Sequence, residues 1–117
     1  YNKKIINAEE KLMLKTQEGI IALQISDIIY METENKAVVI HTANRNIVTY
    51  KKIYEFEKRL GDRLFYRCHQ GYLVNLDYVE RVQEDSLILK EKVTIKVSKS
   101  KKEEMIKKMA KYVAYQL

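Results

Sequence analysis

The sequence has no proline and no tryptophan, and among its 117 residues only three are glycine, two histidine and one cysteine. Without proline, and with glycine only at Gly19, Gly61 and Gly71, there is no flexible or polyproline linker on which two domains could hinge. A lone cysteine excludes an internal disulfide framework, and one cysteine with two histidines far apart in the sequence falls short of a structural zinc site. That cysteine usage fits a reducing compartment, so a cytoplasmic protein is expected. Long apolar runs are missing as well. The longest has four residues, as in Ala37-Val38-Val39-Ile40, whereas a membrane-spanning helix needs about 20. No helical membrane span is expected, and no repeat of fixed period is present.

What the chain does contain is enough apolar surface for one core. Apolar residues make up 46% of it, and the length fits a single domain covering residues 1–117. The first residues, Tyr1-Asn2-Lys3-Lys4-Ile5, include neither an initiator methionine nor a cleavable apolar leader, so the chain reads as part of a longer protein with a domain upstream. Its 22 Lys/Arg against 16 Asp/Glu leave a formal charge of +6, a tilt toward an acidic partner. Four of those six excess charges fall in residues 98–117. A lysine-rich tail is in the simplest case a solvated helix face.

The first half alternates or is β-branched in short stretches. Residues 11–15 and 20–24 flank Gln17-Glu18-Gly19, the pattern of a hairpin with a glycine turn. Residues 28–32, 37–42 and 46–50 read as further strands around polar turns, antiparallel because the connections are too short for parallel crossovers. In residues 52–60 the period changes: Ile53, Phe56 and Leu60 recur at helical spacing and Gly61 is placed to stop the helix. Strands resume from Leu64 to Val82, then at 86–90 and 93–97. A last amphipathic helix is predicted from the stripe Met105, Ile106, Met109, Tyr112 and Val113, with Ser100 and Glu103 at capping-box spacing.

Catalytic machinery is not visible. Cys68 and His69 are neighbours in an extended segment, so they point to opposite faces and cannot easily share a proton. There is no phosphate-cradling glycine loop, no HExxH and no paired-cysteine metal motif. Neither an enzyme activity nor a metal or other cofactor is expected.

One stretch is rich in information: Phe65-Tyr66-Arg67-Cys68-His69-Gln70-Gly71-Tyr72-Leu73-Val74-Asn75, followed by Val79 and Val82. It resembles the signature of the LytTR family, the DNA-binding output domains of many bacterial response regulators. The likeness extends to Asp27-Ile28-Ile29-Tyr30-Met31-Glu32 and to Val97-Ser98-Lys99-Ser100, three ordered matches spread over most of the chain.

The resemblance implies a mainly β fold of about ten short strands in antiparallel sheets, with a short middle helix and a C-terminal helix. It also implies sequence-specific binding of double-stranded DNA by loops between strands, not by an inserted helix. Carried over by position, those loops are Glu34-Asn35-Lys36, residues 67–71 and residues 98–101. Asn35 and Lys36 could read a base edge and a phosphate, or form an ordinary polar turn. His69 and Gln70 offer donors and acceptors to base edges or bridging water. Arg67 could clamp a phosphate or pair with an acid such as Glu80. Lys99, Ser100 and Lys101 supply backbone contacts at the start of the last helix. Asn75 reads as structural, satisfying turn backbone groups. The sequence departs from the family where Gly71 replaces a common Ser, Gln70 a basic residue or Asn, and Lys99-Ser100 a pair of arginines.

The resemblance further implies an upstream receiver domain, two copies on direct-repeat promoter sites, and no membrane partner. Two rival readings remain on the residues alone. One is a protein-interaction module with a basic face; the other is single-stranded RNA binding through exposed tyrosines.

Overall fold

Alternation decides the first hairpin. In β1 (Lys11–Thr16) Leu12 and Leu14 are buried while Lys11, Met13 and Lys15 face out, and the strand pairs antiparallel with β2 (Gly19–Gln24). The turn holds Gly19 at φ 109°, a region that side chains disfavour, which is why a glycine stands there. The computed structural model of the protein describes residues 10–60 and 64–116, with side chains described as far as Lys111.

A meander follows: β3 (Ile28–Glu34), β4 (Ala37–Thr42) and β5 (Asn46–Thr49). The helix α1 (Ile53–Leu60) leads to the hairpin of β6 (Phe65–His69) and β7 (Tyr72–Asn75). Then come β8 (Val79–Val82), β9 (Ser86–Leu89), β10 (Thr94–Lys96) and the terminal helix α2 (Lys102–Gln116). All pairings are antiparallel, in a two-stranded sheet β1-β2, a five-stranded sheet β5-β4-β3-β7-β6 and a three-stranded sheet β10-β9-β8.

The five-stranded sheet separates two cores. Neighbours on a strand point to opposite faces, so Phe65 and Leu73 join Leu14, Ile40 and Phe56 beneath β1-β2 and α1. Tyr66 and Val74 join Leu87, Ile95 and Met105 beneath the three-stranded sheet and α2. Each fully buried leucine or isoleucine here contributes about 1.5–3 kcal/mol. Truncating Leu73, fully buried on an inner strand of the sheet, to alanine costs about 2–5 kcal/mol.

The mainly β architecture with its two helices is the one predicted, and differences lie at element ends. The last helix begins differently from the capping-box reading. Ser98 is the last extended residue, a tight 3-10 turn spans Lys99–Lys101, and α2 starts at Lys102. Ser100 is therefore inside the turn and not at the cap. Ile106 leaves the predicted apolar stripe: Met105 is fully buried, but the next residue is rotated by about 100° and is exposed. The predicted stop at Gly61 and the side chains of Tyr112 and Val113 lie outside the described residues.

Candidate nucleic-acid interface

Strand order decides where the loops fall. β3 lies between β4 and β7 and runs antiparallel to both, so the β3–β4 and β6–β7 turns emerge at the same end of the sheet. The Thr33 N–H donates to the Gly71 carbonyl at 2.9 Å and ties the two turns together. Beyond β6, the Ser98 N–H donates to the Cys68 carbonyl at 3.0 Å, so the segment entering α2 runs beside the outer edge of that strand. The three loops singled out in the sequence thus follow one another along one side of the sheet.

Within this row the candidate residues differ in what they leave free. Asn35 and Lys36 are exposed at a two-residue turn. Asn35 sits at φ 58°, a left-handed conformation that asparagine tolerates well, so the turn itself accounts for the residue type while the amide stays in solvent. Gln70 is exposed at the tip of the next turn. His69 Nδ1 accepts the Gly71 N–H at 3.1 Å. In the neutral ring this acceptor role puts the proton on Nε2, which becomes a donor. A Cβ added at Gly71 would meet His69 Nδ1 at 3.8 Å, an ordinary contact, so the serine common in the family fits here.

Arg67 is committed within the protein. Its Nη1 donates to Glu57 Oε1 at 3.0 Å and its Nη2 to the Gln70 carbonyl at 2.8 Å. The acidic partner is Glu57 on α1, not Glu80, because β6 packs against that helix while Glu80 is exposed on β8. The guanidinium braces the tip that carries Gln70. Its Nε is buried with no partner among the described residues.

On the third segment Lys99 and Ser100 are exposed. Lys101 is held in place, with Nζ 3.6 Å from Glu104 Oε1 and 5.8 Å from the centre of the Tyr66 ring. The neighbouring Lys102 pairs with Glu84 at 2.9 Å. Tyr66 fixes the whole turn: its hydroxyl donates to Glu104 Oε1 at 2.5 Å and contacts the Lys101 carbonyl at 3.4 Å. Burial, and next the bond to Glu104, push the Tyr66 phenol well above its ordinary range, and the same bond lowers the Glu104 carboxyl.

Sequence reasoning missed one contributor. A cleft of about 470 Å³ lies between the two hairpin tips and the start of α1, and its lining includes Lys51 and Lys52 together with Asn35, Lys36, Arg67, His69 and Gln70. That lining has four cationic residues and no acid. The Lys51-Lys52 pair was visible in the sequence, but only the fold brings it beside tips that are about 15 residues away along the chain.

Two other sites can be placed. Cys68 is fully buried, its thiol contacts the Lys96 carbonyl at 3.7 Å, and burial pushes it up to about 12, so it stays protonated. Behind the tips, His41 Nε2 lies 2.5 Å from Glu32 Oε2 and the ring stacks on Tyr30 at 4.2 Å, cross-bracing β3 and β4. Among the described residues no group of three or more His, Cys, Asp or Glu could hold a metal ion, and no helix is long and apolar enough to cross a membrane.

The sequence signature of the LytTr DNA-binding domain matches residues 18–110. The chain belongs to the LytTR family. That is a family of DNA-binding domains and not of enzymes. The chain is 30% identical over 118 residues to the sensory transduction protein LytT of Bacillus subtilis, an alignment covering 91% of this chain and 49% of that protein. It is 31% identical over 78 residues to the transcriptional regulatory protein LytR of Staphylococcus aureus, covering 67% of this chain and 32% of that one. It therefore spans half or less of the length of these LytTR relatives. Its fold is similar to the solved LytTr DNA-binding domain of a Bacillus cereus protein, with a TM-score of 0.75 and 24% identity over 85% of this chain and 95% of the other.

Proposed function

We propose that this LytTR domain binds double-stranded DNA sequence-specifically and regulates transcription as the output domain of a two-component response regulator. The observation that carries the reading is the Thr33–Gly71 bond, which sets two exposed polar turns side by side above a cleft whose lining includes four cations and no acid. Two strand spacings separate the turns, roughly 10 Å, or about three base-pair rises. Side chains on the two turns can thus address neighbouring steps of one duplex.

Roles divide by chemistry. Asn35 and Gln70 present amides, and His69 an Nε2 donor, to base edges. Lys36 and Lys99, which have no carboxylate partner among the described residues, carry ammonium groups to phosphates, with Ser100 and Lys101 alongside. Arg67 acts by holding the Gln70 tip in register. The domain is the C-terminal part of a cytoplasmic regulator whose receiver lies upstream, and two copies occupy direct repeats, which raises occupancy through effective concentration. The greater length of the relatives leaves room for such a receiver.

Single-strand binding through tyrosines is less well supported. Tyr30 is already stacked on His41, and the hydroxyls of Tyr66 and Tyr78 are bonded to Glu104 and to the Ser26 carbonyl, which leaves Tyr50 and Tyr54 as the exposed rings among the described residues. Selection from a random duplex pool, followed by anisotropy titration of the winner and a scrambled copy at fixed salt, tests the proposal. A preference of at least about 10³-fold for the selected duplex is expected. Equal affinity for both would remove it, and tighter binding of the matching single strand would favour the RNA-type reading.

A further inference from the structure

We propose that Lys51 and Lys52 form a phosphate-binding element of their own, gripping the DNA backbone across the cleft from the two hairpin tips; this rests on the duplex-binding reading above. The pair lies on no loop that the sequence motifs single out, yet it shares a cleft of about 470 Å³ with Asn35, Lys36, His69 and Gln70.

Charge accounting along this face favours these two residues. Three cations that look available in the sequence are neutralised within the protein: Arg67 by Glu57, Lys101 by Glu104 and Lys102 by Glu84. Lys36, Lys51, Lys52 and Lys99 are exposed and have no carboxylate partner among the described residues. Two of the four cations free to release counterions from a duplex are therefore on this shoulder.

The backbone beneath the pair is fixed. The Lys52 N–H donates to Glu55 Oε2 at 2.9 Å, and the Glu55 N–H donates back to the Lys52 carbonyl at 3.0 Å. The Lys51 N–H reaches Thr49 Oγ1 at 3.5 Å. Because the side chain of Glu55 occupies the amide at the helix start, the site consists of the two ammonium groups and not of the helix end. A phosphate bound there would lie beyond the bases read by the tips, so the pair would add affinity and register without base choice.

The test is an anisotropy titration of the parent chain, K51Q/K52Q and the control K58Q, on a duplex selected by the parent and on its scrambled copy, across a salt series. Lys58 is exposed on α1 and does not line this cleft. For K51Q/K52Q, affinity roughly 10- to 30-fold weaker on both duplexes is expected, with the ratio between them unchanged. The salt slope should become shallower by about 1.8, while K58Q stays near the parent. Parent-like binding by K51Q/K52Q, or an equal loss in K58Q, overturns the assignment and leaves duplex binding itself intact. A parent that binds no duplex removes both, and circular dichroism verifies that the variants are folded.

Discussion

Asn75 Nδ2 donates to the Ile28 carbonyl at 2.8 Å, joining two turns 47 residues apart in the chain. Its Oδ1 accepts the Asp77 N–H at 2.9 Å, and the side chain is fully buried. Both functions of one amide are thus spent on backbone. Nearby, the Tyr78 hydroxyl donates to the Ser26 carbonyl at 3.0 Å, a second link between the same turns. Replacing Asn75 by Ala removes both of these hydrogen bonds from a buried setting, at about 1–3 kcal/mol each. Urea unfolding of Asn75→Ala should show a loss of about 2–4 kcal/mol, while base preference of the folded fraction is unchanged. A stable variant with altered base preference would instead place Asn75 on the DNA.

Arg67 and Glu57 offer a sharper choice between bracing and direct contact. If the guanidinium gripped a phosphate, Glu57→Ala would free it and strengthen binding. As a brace for the Gln70 tip, it loses its anchor in the same variant. Duplex affinity of Glu57→Ala is therefore expected to fall, by about 1–2 kcal/mol, in step with Arg67→Lys. A gain in affinity for Glu57→Ala would return Arg67 to the phosphate.

Much of this was legible in the sequence, and the limits have physical causes. Alternation around Leu12 and Leu14 and the change to helical period at Ile53, Phe56 and Leu60 are local patterns, so their elements form where predicted. The buried role of Asn75 was also legible, because an amide in an otherwise apolar strand end has few ways to be satisfied. Pairings across the chain were not. Which acid neutralises Arg67 depends on α1 packing against β6, and Glu57 is ten residues away in a different element. Nor does any local pattern tie Lys51 and Lys52 to the hairpin tips, which they meet only in the folded chain. Ser100 looked like a cap because spacing cannot show that the chain begins to turn one residue earlier.

Alkaline pH should loosen the domain in a defined window. Burial raises Cys68 from 9.0 to about 12, and burial, followed by the charge of Glu32, raises Tyr30 from 10.0 to about 12. A group whose folded value is raised contributes stability that is complete below its unfolded value and is lost as pH climbs through the folded one. Stability by urea titration should hold up to pH 9.0 and decline between there and about 12. Over the lower part of that range Cys68 should resist thiol reagents unless the protein is unfolded. Rapid labelling of folded protein at neutral pH would contradict its placement.

At the acid end the tie between Tyr66 and Glu104 sets the behaviour of α2. The Glu104 carboxyl is lowered from 4.5, mainly by that bond, so its contribution is present above 4.5 and disappears as pH falls through the lower folded value. Tyr66→Phe should reduce that acid-side dependence, leaving the smaller part due to Lys101 and Lys108, and, by releasing residues 99–101, weaken binding to all duplexes alike. An unchanged acid profile in Tyr66→Phe would show the bond to be idle.

The tips themselves separate by kind of effect. Lys99→Ala should weaken binding to every duplex and make the salt slope shallower by about 0.9. Asn35→Ala and Gln70→Ala should instead change discrimination at single positions by about 1–3 kcal/mol. If all three variants bind like the parent, the docking face lies elsewhere.

The most direct measurement is an amide chemical-shift map of the domain titrated with its selected duplex. Perturbations should concentrate on residues 34–36, 51–52, 69–71 and 98–101, with β1, β2 and the exposed face of α2 quiet. A map centred on the β1–β2 hairpin, or spread evenly over the surface, would contradict a reading edge built from strand-connecting turns.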